Sequence, residues 1–95
     1  MLFVALLKAL PATVDKRIRR RLELGYSEDT PVVAEYWLQS PDPAVITVCE
    51  ADHIGQLWEL FGAWEDLFEI TIVPAIAAQE GLEMLKQRQE EGVGE

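Results

Sequence analysis

"VVAEYWLQSPDPAVITVCE", Val32 to Glu50, decides the fold. Its first eight residues are rich in β-branched and aromatic side chains, and so is "AVITVCE" at 44–50, so both runs read as strands. Between them "SPDP", 40–43, is a turn, because its two prolines fix φ and withdraw two backbone donors. A connection this short joins antiparallel neighbours, so the stretch forms a hairpin.

Working outward toward the N-terminus, residues 2–9 are a continuous apolar run with Lys8 near its end, the pattern of a central strand buried on both faces. Pro11 breaks it. Thr13 then caps a helix with Asp15 in its first turn, Val14, Ile18 and Leu22 recur every four residues on one side, and Gly25 ends it. Toward the C-terminus, Asp52 is the N-cap of a second helix. Ile54, Leu57, Trp58, Phe61, Trp64 and then Leu67 or Phe68 follow a three-to-four spacing along it. "FEITIV", 68–73, is a fourth strand ended by Pro74, and residues 77–90 form a last helix with Ala78, Leu82 and Leu85 on one side. The expectation is one domain, residues 1–91, with 92–95 as a flexible tail.

The order β-α-β-β-α-β plus a terminal helix is the ferredoxin-like α+β arrangement. Right-handed crossovers put the two main helices on one face of a four-stranded antiparallel sheet of order 4-1-3-2. Strand alternation then gives two sets of side chains. Ala34, Tyr36, Leu38, Ile46, Val48, Ile70 and Ile72 are expected under the helices. The opposite set holds Val33, Glu35, Trp37, Val45, Thr47, Cys49, Glu69, Thr71 and Val73, and is too apolar for open water. A second copy of the chain is its simplest cover, which predicts a homodimer with Val33, Trp37, Val45 and Thr47 in the interface.

The stretch "TVCEADHIGQLWELFGAWEDLFEITIVPAI" resembles a family of small bacterial proteins known as a domain of unknown function, number 3303, whose members look like "VEADD…L…L…W.DL.DFEVTPV". The matching residues are Val48, Glu50, Ala51, Asp52, Leu57, Leu60, Trp64, Asp66, Leu67, Phe68, Glu69 and Pro74, and "MLF" and "EYW" are also similar to the family. The match spans about residues 1 to 77. The family in turn resembles the dimeric α/β barrels, a group that includes cofactor-independent monooxygenases and isomerases. The resemblance implies the fold and the dimer and carries no mechanism. His53 stands where many members have an acidic residue.

Charge and composition exclude several classes. The net charge is −9, with 17 acidic and 8 basic residues, which disfavours nucleic acid as a partner. Five of the eight basic residues crowd into "KRIRRR", 16–21, as a solvated helix face or a local anion site. One cysteine forms no intramolecular bridge, which suits a reducing cytoplasm. The ten-residue apolar start is too short to cross a bilayer, so no membrane is expected.

The only cysteine, Cys49, and the only histidine, His53, lie close together with Glu50 and Asp52 between them. A structural zinc site needs paired ligands and there is no second Cys or His, so no metal is expected; no glycine-rich phosphate loop is present either, so no cofactor is expected. Cys49 reads as a small core residue and His53 as a candidate for a catalytic base. Two functions remain. One is an interaction or structural dimer without chemistry. The other is a pocket for a small aromatic or hydrophobic molecule between sheet and helices, placed near the start of the second helix between Tyr36, His53 and Trp64.

Overall fold

The computed structural model describes residues 1–92, and the end of the expected tail, residues 93–95, lies outside the described residues. Strand β1 (Leu2–Ala9) is followed by helix α1 (Val14–Glu23), strands β2 (Val32–Trp37) and β3 (Val45–Glu50), helix α2 (Ile54–Phe61), strand β4 (Phe68–Ala75) and helix α3 (Ala78–Gly92). Gly92, expected in the tail, closes α3. The sheet order is β2-β3-β1-β4 with every pair antiparallel, so the ferredoxin-like expectation holds.

Several boundaries move for physical reasons. β4 runs through Pro74, which the ladder tolerates because β4 is an edge strand with one partner. α2 stops at Phe61 and tightens into a 3₁₀ turn over Gly62–Trp64. Its N-cap is His53, one residue later than the expected Asp52, and Gln56 Oε1 reaches back to accept the Asp52 N–H at 2.8 Å. α1 ends at Glu23, two residues before Gly25.

The two sides of the sheet are exchanged relative to the expectation for β2 and β3. Residues directly opposite one another share a face: Glu35, Thr47, Ala5 and Ile72 form one row, and Trp37, Val45, Leu7 and Ile70 the next. This is the helix-covered face, with Ala5 and Cys49 at 0 % exposure and Thr47 at 1 %. Ala34, Tyr36, Ile46 and Val48 instead lie on the open face with Val4, Leu6 and Val73. Small side chains fit this arrangement: Ala5 and Cys49 share one buried cluster with the bulky Leu57 and Phe61 that α2 brings down, and Thr47 is buried on the same face. Val33, expected in the opposite set, is the extra residue of a bulge between Val32 and Ala34 and is exposed.

α1 lies over the same face but buries none of its own side chains. α3 extends away from the body. The chain measures 59 × 29 × 18 Å with a radius of gyration of 17.0 Å, against about 12 Å for a compact chain of this length. Leu82, Met84 and Leu85 on α3 are exposed.

Candidate small-molecule site

Between α1 and the sheet lies a cleft of about 580 Å³. Its floor is Leu7, Ala9 and Val45 of the sheet, and its roof is Val14 and Ile18 of α1. Phe61, Trp64 and Phe68 close the inner wall, and Trp37 and the β2–β3 connection flank it. The volume falls within the 300–1,000 Å³ typical of ligand pockets.

Salt bridges and polar contacts, with little apolar burial, hold the roof up. At the start of α1, Ala12 takes a left-handed φ of 59°, and the Thr13 hydroxyl donates to Leu10 O at 2.6 Å. At the far side, Arg20 grips the Asp66 carboxylate with both Nη atoms, one at 2.9 Å, and donates to Ala63 O at 2.7 Å. That bidentate bond holds the Asp66 carboxyl below its ordinary range. Arg21 reaches across to β2, its Nε donating to Glu35 Oε2 at 3.2 Å.

Glu35 is the hub of a polar cluster on the cleft wall. Tyr26 OH donates to Oε1, while Trp37 Nε1 donates to Oε2 at 2.7 Å beside Arg21. Burial pushes the Glu35 carboxyl up, but the hydrogen bonds from Tyr26, Trp37 and Arg21 outweigh it and hold the group below its usual range. Burial, aided by the bond to Glu35, raises the Tyr26 phenol well above its ordinary value. The Arg21 guanidinium also stacks 4.8 Å from the Tyr26 ring centroid. A carboxylate with both oxygens engaged and its proton affinity lowered is a positioning group, and a poor general base near neutrality.

The residues expected to form a site are not brought together. Trp64 lines the cleft. Tyr36 sits on the open face at 58 % exposure, and His53 is exposed at the start of α2; neither lines the cleft. No histidine or cysteine is among the lining residues. Cys49 is sealed in the core, where burial pushes its thiol up to about 11, so it carries little thiolate near neutrality. Among the described residues no group of three or more His, Cys, Asp or Glu is placed to hold a metal ion, and no helix is long and apolar enough to cross a membrane.

Of the residues expected at a dimer interface, Val45 and Thr47 lie beneath the helices and Trp37 flanks the cleft. The expectation that these three point away from the helices is therefore corrected, since β2 and β3 turn their other sides outward.

Nothing in the sequence pattern joins Tyr26, Glu35 and Arg21 as a group. Tyr26 lies in a loop without periodicity, and strand alternation alone puts Glu35 on the open face, whereas the register sets it opposite Thr47 beneath the helices. What signal there is lies in α1: Arg17 and Arg21 follow Val14 and Ile18 by three residues, which places both cations on the flank of the apolar stripe.

An α+β sandwich with a roofed cleft is thus the class that fold and site define. The chain belongs to the family described as Domain of unknown function (DUF3303), whose model matches residues 1–89. Comparison with curated proteins and with solved structures found no match.

Proposed function

We propose that the chain binds a small apolar or aromatic molecule in the cleft between α1 and the sheet. One observation carries the reading: α1 stands off the sheet on polar struts, keeping about 580 Å³ open beneath Val14 and Ile18, where an ordinary amphipathic helix would pack down. Three aromatic side chains supply the inner wall, and the Glu35 cluster supplies a fixed polar edge. The lining residues support binding over catalysis, since the one carboxylate among them is fully engaged.

The test is a titration with 2-naphthamide, a neutral aromatic probe, followed by the fluorescence of Trp37 and Trp64. Saturable binding at one probe per chain is expected, and Ile18→Glu, which sets a charge into the roof at an already exposed position, abolishes it. Absence of binding, or equal binding by the variant, removes the reading.

A second reading concerns assembly. The open face carries Val4, Leu6, Tyr36, Ile46, Val48 and Val73, and α3 projects with exposed Leu82 and Leu85. A second copy of the chain fits both features, with the two open faces opposed and each α3 laid along the partner. Sedimentation equilibrium is expected to give twice the chain mass at micromolar concentration, and Ile46→Glu to give one chain mass, because it sets an unpaired charge into a desolvated contact. A wild-type protein of one chain mass refutes the dimer.

A further inference from the structure

Resting on the reading of the cleft as a small-molecule site, we infer that its ligand is an organic anion: an apolar, ring-sized body with a carboxylate that Arg17 receives. The basic run of α1 turns three arginines toward the body of the protein, and they are treated differently. Arg20 is neutralised by Asp66, and Arg21 by Glu35. Arg17, which lines the cleft, pairs with no carboxylate among the described residues. The chain has 17 acidic residues to 8 basic ones, yet none of the described ones forms an ion pair with this half-buried cation.

Arg17 is also held in place. Its Nε donates to Thr13 Oγ1 at 3.0 Å, and its guanidinium carbon lies 5.7 Å from the centroid of the Phe68 ring, itself part of the inner wall. Of the five N–H donors of a guanidinium, that bond uses one, and the two Nη groups are left for a planar acceptor. A carboxylate fits that fork, and an aromatic body attached to it meets the wall of Phe61, Trp64 and Phe68.

The charge of the lining points the same way. Arg17 and Arg21 stand against Glu35 alone, one positive charge in excess. Both Glu35 oxygens are taken by Tyr26, Trp37 and Arg21, so no free carboxylate is offered to an ammonium group. The cleft therefore favours a simple carboxylic acid anion over an amino acid.

Calorimetric titration of the full chain with 2-naphthoate and its neutral counterpart 2-naphthamide tests this. Wild type is expected to bind the naphthoate about tenfold tighter than the amide, the scale of one charge-assisted pair. Arg17→Gln is expected to bring the naphthoate down to the affinity of the amide while leaving the amide unchanged, which also shows that the variant is folded. Arg19→Gln, altered at an exposed position outside the cleft, changes neither. Equal binding of both probes by wild type, or naphthoate affinity retained in Arg17→Gln, overturns the anion inference and leaves the cleft as a site for neutral molecules. Failure of wild type to bind either probe removes the cleft reading and this inference with it.

Discussion

Helices α1 and α2 lie over the same face of the same sheet, and both show an apolar residue every three to four positions. Yet α2 buries Leu57 to 0 % exposure and Phe61 to 3 %, while Val14 and Ile18 of α1 remain 55 % exposed and Leu22 83 %. α2 is core. α1 is a roof, held at its edges by Arg20 on Asp66 and Arg21 on Glu35. Apolar periodicity shows which side of a helix is meant to meet something apolar; whether that something is the protein's own sheet or a ligand depends on what holds the helix at its edges.

Substitutions divide accordingly. Leu57→Ala, in the packed helix, is expected to cost about 2–5 kcal/mol of unfolding free energy by chemical denaturation, because the deletion leaves a cavity in a fully buried site. Glu35→Gln should cost less, about 1–2 kcal/mol, since it weakens three hydrogen bonds in a cluster partly open to water. Its effect carries a pH signature. The folded Glu35 carboxyl titrates below its unfolded value, so its contribution is present above the unfolded pKa of about 4.3 and is lost as pH falls through the lower folded value. The difference in midpoint between wild type and Glu35→Gln should thus be constant from pH 6 to 8 and close on acidification below about pH 4.

Tyr26 gives the opposite sign. Its folded pKa is raised, so its stabilisation is intact below the unfolded value of about 10 and is lost as pH rises beyond it. Absorbance at 295 nm should show one of the two tyrosines ionising late, and Tyr26→Phe should remove that step. Smallest of all is Ile18→Ala. It should change stability by no more than about 0.5 kcal/mol, because the roof is not packed, while weakening ligand binding measurably. A loss at Ile18 comparable to that at Leu57 would erase the distinction between the helices.

The hairpin, the order of elements and the covering of one sheet face were legible from period, prolines and strand composition. Which side of β2 and β3 faces the helices was not. Both sides of β1 are apolar, so Phe3, Ala5 and Leu7 are no better a core by hydropathy than Leu2, Val4 and Leu6; the small Ala5 and Cys49 meet the bulky Leu57 and Phe61 in the buried cluster, and such size matching needs coordinates. The site was hidden for a related reason. Val14, Ile18 and Leu22 look in sequence like any core-facing stripe, and the tyrosine and glutamate that meet Arg21 come from a loop and an edge strand, Tyr26 and Glu35, brought together only by folding. Cys49 and His53 stand out in the sequence because each is the only one of its kind, yet the fold uses them for packing and for a helix start.

The three tryptophans offer the most direct test of a ligand site beneath α1. Trp37 and Trp64 line the cleft, and Trp58 does not. In a ¹H–¹⁵N correlation spectrum titrated with 2-naphthoate, the indole signals of Trp37 and Trp64 should move together to saturation, along with the amides of Leu7 and Ile18. The indole of Trp58 and the amides of Val4, Ile46 and Val73 on the open face should stay in place. Movement confined to Trp58 or the open face, or no movement at millimolar probe, would contradict the account.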